Sequence, residues 1–440
     1  MENKKVLIIT YYWPPSGGSG VQRWLKFVKY LSRLGWEPYV FAPENPSFAI
    51  RDQSLEKDVP GSVEVIKLPI WEPYQLFFKV QRLLGKKEIK PTDFISTGKK
   101  GFLQMVSSWV RGNFFIPDAR VFWVKPSVTF LTDFVQSNHI ERIVTTGPPH
   151  SIHLIGQRLK KKLPSILWLA DFRDPWSEWD LLGTLSLTAW ARRKHRKLEY
   201  SVLSQADHVV TIAPYHVCRF QSLGNRKVEL ITNGFDEEDF AGIQRARTKK
   251  FTIRHIGIVD GLRDPRPVMH AIKEMVLHSA ELQDKIAIEF IGNVNSEFKS
   301  GVEQDEILSP ITRFVGHVPH SGLLGIYGKT DLQLLVLAHT AIAPGNLPGK
   351  FFEYLASGNP ILAIGPVDGD AAGVLKETRA GVIHERGDQE AIKSSLQGFY
   401  ADWKEGKENP GRDITRYSRR ELTGQLAKLL ATPEETTKKE

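Results

Sequence analysis

Apolar residues fall in short runs rich in β-branched side chains, and between the runs they recur at helical spacing. That is the pattern of parallel strands covered by helices. Val6 to Thr10 is the first predicted strand; a helix follows from about Val21 to Leu34 and stops at Gly35, and Glu37 to Phe41 returns to the sheet. Further strands are predicted at Val63 to Leu68, Arg142 to Thr146, Ile166 to Ala170, His208 to Ile212 and Val228 to Thr232. Asn233-Gly234 makes a turn, the polar stretch Asp236 to Lys250 reads as a linker, and alternation resumes near Phe251. The second series is Phe251 to Gly257, Ile286 to Gly292, Leu332 to Leu337, Pro360 to Ile364 and Gly381 to His384. An amphipathic helix over about Tyr417 to Leu430 precedes a polar tail that is expected to be disordered. The expected class is α/β, with two doubly wound parallel-sheet domains. Their bounds are 1–235 and 251–410, with a linker at 236–250, a C-terminal helix in 411–431 packing back on the first domain, and the tail at 432–440.

The segment 74–125 breaks the alternation and reads as an insertion. It mixes Phe77, Phe78, Phe102, Trp109, Phe114, Phe115, Phe122 and Trp123 with Lys79, Lys86, Lys87, Lys99, Lys100 and Arg111. Aromatic rings seat in a membrane interface while cations meet acidic lipid. Equally, these are helices packed on the domain with lysines in water.

Composition narrows the partners. The 440 residues exceed what one core usually organises, and 59 Lys and Arg against 50 Asp and Glu give a net charge of +9, which suits anionic partners. Cys218 is the single cysteine, so an intrachain disulfide and a thiolate zinc site are excluded and a reducing, cytoplasmic setting fits. No apolar window reaches the ~18 residues of a membrane span, and Val6 to Ile9 is too short for a signal-peptide core. The basic runs Lys160-Lys161-Lys162 and Arg192-Arg193-Lys194-His195-Arg196-Lys197 carry no nucleic-acid module around them, so no nucleic-acid partner is expected. The second run follows Trp190, which suits a peripheral position against acidic lipid.

Chemistry gathers at strand ends. Tyr11 to Gly20 is a Pro/Gly-rich turn into a helix; Gly17 and Gly18 let a ligand approach backbone N–H groups at the helix N-terminus, although a plain turn reads the same way. Glycines at 18 and 20 followed by Arg23 do not complete a dinucleotide fingerprint, so NAD and FAD are poorly supported. Thr145 to Ser151 and Asp171 to Trp176 follow two further strands. Asp171 is placed to bind sugar hydroxyls, orient an acceptor or act as a base, Arg173 to meet a phosphate and His150 to hold an acceptor; otherwise Asp171 and Arg173 brace the loops. After the strand ending in Gly257, Arg263 and Arg266 both suit a pyrophosphate, or are solvated turn residues. In the segment Asn346 to Pro360, Lys350 and Glu353 share a helix face. The carboxylate suits a ribose diol and the ammonium a phosphate, with a simple intrahelical pair as the alternative.

With Pro348-Gly349-Lys350-Phe351-Phe352-Glu353-Tyr354-Leu355-Ala356-Ser357-Gly358, Asn233-Gly234-Phe235-Asp236 and the glycine loop after the first strand, the chain resembles the GT-B glycosyltransferases, family 4 group, of surface polysaccharide assembly. The resemblance covers nearly the whole chain. It implies two Rossmann-like domains facing a central cleft, a donor held by the C-terminal domain and a glycan or lipid-linked acceptor held by the N-terminal one. Glu353 matches the glutamate that holds the donor ribose. Lys350 matches a positive position near the diphosphate, where Arg263 and Arg266 compete for a second; Gly17, Gly18 and Gly257 match positions near the donor, and Asp171 lies near a catalytic position.

Relatives often carry Glu-x7-Glu, and Gly345 stands where the earlier glutamate would be. No Asp-x-Asp pair marks a metal-dependent donor site, so no metal and no cofactor are expected. Transfer with retention is expected from the resemblance alone. The rival expectations are a non-hydrolysing nucleotide-sugar 2-epimerase and a non-catalytic membrane-associated protein of the same fold.

Overall fold

The computed structural model describes residues 3–431 except 49, 74–101, 225, 244, 245, 247, 408, 410 and 411. The chain divides into two compact units: one ends at Thr232 and resumes at Leu422, and the other is Asn233–Glu421.

The first unit is a wholly parallel sheet of seven strands, β1 (Lys5–Ile9), β2 (Glu37–Pro43), β3 (Glu64–Leu68), β4 (Arg142–Gly147), β5 (Leu167–Phe172), β6 (His208–Thr211) and β7 (Glu229–Leu230), in the order β3-β2-β1-β4-β5-β6-β7. Its centre is apolar on both faces, as a sheet covered by helices on both sides requires. Leu7 and Ile9 pack with Phe41, Trp123 and Trp168 in one layer, while Val6 and Ile8 pack with Trp24, Leu25 and Val40 in the other. This is the period of two that a pleated strand imposes. Leu422, Leu426 and Leu430, a single stripe of the last helix (Arg419–Ala431), are buried in that second layer.

The second unit repeats the plan with β8 (Phe251–Ile256), β9 (Ile286–Ile291), β10 (Thr312–Gly316), β11 (Leu332–Val336), β12 (Ile361–Ile364) and β13 (Gly381–His384), in the order β10-β9-β8-β11-β12-β13. In each sheet the order reverses beside the first strand, between β1 and β4 and between β8 and β11. Loops on either side of such a point leave to opposite faces and open a crevice at the carboxyl ends.

Several sequence expectations need correction. Thr312–Gly316 is an edge strand that the apolar pattern did not announce, because Arg313, Val315 and Gly316 are exposed and only its inner face is covered. The strand expected over Val228 to Thr232 pairs only through Glu229–Leu230 at the other sheet's edge. The segment 74–125, expected as an insertion, overlaps regular structure at its end. A helix, Val121–Ser137, begins there, and its Trp123 stacks on Phe41 at 4.9 Å inside the core. Phe77, Phe78, Lys79, Lys86, Lys87, Lys99 and Lys100 lie outside the described residues. The expected linker opens with a short helix, Glu237–Phe240, capped by the Asp236 carboxylate. No described helix is long and apolar enough to cross a membrane.

Candidate functional site

At the carboxyl end of β8, Gly257 takes φ +132°, and a Cβ there would stand 2.8 Å from the Lys350 Nζ. Gly292, the residue after β9, takes φ +127°, and its Cβ would fall 2.3 Å from the Gly257 carbonyl oxygen. Backbone therefore lies against backbone here, a geometry restricted to glycine, and it leaves room for the lysine head. Lys350 sits in the first turn of the helix Gly349–Ser357, which has no side-chain cap and no acidic residue in that turn. The free N–H groups and the dipole give this end a partial positive charge. Tyr354 anchors the helix to β8: its hydroxyl accepts the Ile256 N–H at 2.8 Å. Gly358, left-handed at φ 69°, ends it.

Lys350 is half-buried and makes no hydrogen bond or ion pair among the described residues. Loss of water, then the like charge of Arg263, push its ammonium down to about 7, against the weaker pull of Glu353 and Asp260. Arg263 is held by its own loop, its Nη1 donating to Asp260 Oδ2 at 2.8 Å while the Arg263 and Leu262 N–H groups donate to Asp260 Oδ1. Arg266 points elsewhere, to Asp264 at 3.4 Å and to the exposed Glu297 at 2.9 Å. Of the two arginines, the structure thus puts Arg263 beside Lys350 and turns Arg266 to the surface.

Glu353 lies one turn along the same helix face. Its Oε2 accepts the Tyr327 hydroxyl at 2.6 Å and its Oε1 accepts His320 Nε2 at 3.2 Å. Burial alone would raise this carboxyl, but the bonds and charge from His320, the Tyr327 bond and the charge of Arg419 hold it below the usual carboxylate range. It stays ionised, fixed in direction, and has lone pairs left for a ligand. Asn233 of the junction motif donates to the Leu347 carbonyl at 3.3 Å, tying the junction to the loop that leads into this helix. Gly345 is buried in the short turn Ala343–Gly345.

The first unit's strand ends are arranged differently. Asp171 is wholly buried and fully engaged: Arg23 Nη2 and Nε donate to its two oxygens at 2.9 and 3.2 Å, Trp24 Nε1 donates at 2.7 Å and the Thr146 hydroxyl at 2.9 Å. Burial would raise its carboxyl, yet the charge and bonds of Arg23 and the Trp24 bond hold it low. Arg173 donates to the carbonyls of Gly20, Gly147 and Pro148, stitching the ends of β1 and β4. In the described structure both residues brace these strand ends, which fits the bracing alternative that their pattern left open. Gly17 is pinned through its N–H to the Ile50 carbonyl at 3.0 Å, while Gly18, at φ +90°, precedes the uncapped helix Ser19–Arg33 with open space around it.

His150 is buried flat against Trp176 at 5.2 Å. Burial and the neighbouring His153 and Arg173 keep it neutral, far below the ordinary imidazole value. His195 accepts the Trp176 Nε1 proton at 3.0 Å, so its own proton sits on Nε2, which finds no partner among the described residues. Among the described residues no group of three or more His, Cys, Asp or Glu side chains is placed to hold a metal ion.

Neither a family model nor a curated protein matches the sequence. Solved structures do. Sucrose-phosphate synthase from Thermosynechococcus elongatus superposes with a TM-score of 0.60 at 14% identity, over 97% of this chain and 98% of that one. A glycosyltransferase from Rickettsia africae ESF-5 gives 0.58 at 12%, over 98% and 94%. An E. coli trehalose-6-phosphate protein bound with UDP-2-fluoro glucose gives 0.58 at 10%, over 98% and 100%. The fold is GT-B. In this GT-B chain the sequence pattern singled out Lys350, Glu353, Gly257 and Arg263, and the second unit places these four near one another. It missed Tyr327 and His320, which fix Glu353, and Arg23, which neutralises Asp171; each acts across a distance along the chain that no local spacing signals.

Proposed function

We propose that the protein is a glycosyltransferase whose second unit holds a nucleotide-sugar donor. The observation that carries this reading is the pairing of an ionised, pre-aimed Glu353 with an unpartnered Lys350 on one helix face at the switch point of the sheet. In that reading Glu353 accepts from the ribose diol, and Lys350, Arg263 and the uncapped helix end face the diphosphate. An acceptor hydroxyl oxygen attacks the anomeric carbon as the bond from that carbon to the diphosphate oxygen breaks. The electron pair leaves with the diphosphate, where the cations stabilise it, and the hydroxyl proton passes to a departing phosphate oxygen.

Side-chain cations supply the charge here, so we propose that the reaction proceeds without a metal, and that it retains anomeric configuration as the resemblance implies. The acceptor is a glycan or lipid-linked sugar met by the first unit, and the chain works at the inner face of the plasma membrane as a peripheral protein in cell-surface polysaccharide synthesis. Glu353→Ala tests the donor site. Nucleoside diphosphate affinity by calorimetry should fall at least about tenfold, the loss of one charged hydrogen-bonding group, with folding unchanged. Unaltered affinity rejects the assignment.

A further inference from the structure

Six large apolar side chains of the first unit, Trp71, Met105, Trp109, Phe114, Phe122 and Trp190, are between 42% and 67% exposed. Ring contacts and neighbouring positions connect most of them. Trp71 meets Phe122 edge-on at 4.9 Å, Phe122 meets Phe115 at 5.8 Å, and Phe114, the residue before, meets Trp109 at 5.7 Å. Trp190 joins from the helix Ala189–Gln205, whose cap Thr188 donates through its N–H and hydroxyl to Asn113 Oδ1, one residue from Phe114. A monomeric soluble domain rarely leaves so many rings together in water.

Cations border the rings. Lys194 Nζ lies 4.8 Å from the centre of the Trp190 ring, and Arg192, Arg193, Arg196 and Lys197 are exposed on the same helix. Lys125 is exposed one turn beyond Phe122. The helix Phe102–Phe114 has no acidic residue, and the only one in Ala189–Gln205, Glu199, is buried with its oxygens on the Trp176 and Ser177 N–H groups. The charge complement of this surface is therefore negative, and its apolar part is aromatic, the side chains that rest at headgroup depth.

We propose that this surface, built by the Phe102–Phe114 helix, the start of Ala189–Gln205 and the Trp71–Phe122 pair, seats the first unit in the interface of an anionic lipid membrane. The rings enter the headgroup layer and the cations meet acidic headgroups, each adding a modest, summed attraction. The inference rests on the peripheral-membrane reading above and says which face makes the contact. It joins two features that lie far apart in sequence, the aromatic segment before residue 125 and the basic run after Trp190.

The test is sedimentation of the full chain with phosphatidylcholine vesicles, with and without phosphatidylglycerol, for the wild type, Phe114→Ser/Trp190→Ser, Arg192→Glu/Arg193→Glu and the control Leu277→Ser, exposed on the second unit. The wild type and control should bind the anionic vesicles. Both double variants should bind them about tenfold or more weakly, while melting temperature and nucleoside diphosphate affinity stay unchanged. Equal binding by the variants and the wild type overturns the assignment of this face but leaves the peripheral reading. A wild type that ignores anionic vesicles overturns that reading too, whereas a dimer that the variants dissociate with vesicle binding unchanged overturns the assignment of this face alone.

Discussion

Lys350 shows what a single side chain can report. Its ordinary ammonium value is well above neutral, and in the folded chain burial and Arg263 bring it to about 7. A bound diphosphate would restore the charge by raising that value, so binding takes up a proton above neutral pH. Affinity should be greatest below pH 7 and fall as pH rises through 7 to 9, by at most about tenfold per unit for one proton. Calorimetry in buffers of different ionisation enthalpy measures that uptake, and Lys350→Met should bind more weakly with the pH dependence removed. Lys350 and Glu353 were legible in the sequence because three residues on a helix always share a face. Tyr327 and His320 were not, since they reach Glu353 from another helix through packing alone. Tyr327→Phe should therefore weaken nucleoside diphosphate binding several-fold by freeing the carboxylate to rotate, the loss of about one hydrogen bond.

Among the elements, the strands and the helices that follow them were readable wherever both faces are buried, as in Val6 to Ile9, because burial demands an unbroken apolar run. One edge strand was not, although the edges Glu64–Leu68 and Gly381–His384 were. Thr312–Gly316 has one covered face, and its sequence carries too little pattern to separate it from a loop. The role of Asp171 at the end of β5 was left open by the sequence for a related reason: an acidic residue at a strand's carboxyl end looks the same whether it awaits a ligand or meets Arg23. With both partners buried, Asp171→Asn leaves a guanidinium uncompensated and should cost about 3–5 kcal/mol of stability by urea denaturation. Nucleoside diphosphate affinity, which the proposed site assigns to the second unit, should not change with it. A catalytic Asp171 would instead leave the protein stable and abolish transfer.

Across the molecule, the first unit buries uncharged histidines that the sequence displayed only as scattered residues. Burial brings His153 to about 3 and both His195 and His216 to about 4. The unfolded chain protonates these rings as pH falls through about 6.5 and the folded chain does not, so stability is complete above 6.5 and declines toward pH 4. At pH 5.5 each contributes a loss of roughly 1 kcal/mol, readable as a fall in the urea midpoint from pH 7.5 and smaller in His195→Asn. The two-unit plan was legible because the alternation of strands and helices starts twice, near Val6 and near Phe251. The proposed function depends more narrowly on the second unit's strand ends. The most direct measurement is calorimetric titration of a panel of nucleoside diphosphates and their sugars into the wild type and Glu353→Ala. At least one should bind the wild type, and binding should be lost by about tenfold or more in a variant that melts at the same temperature. Absence of binding by the whole panel, or equal binding by both proteins, would contradict a nucleotide-sugar site at Glu353 and Lys350.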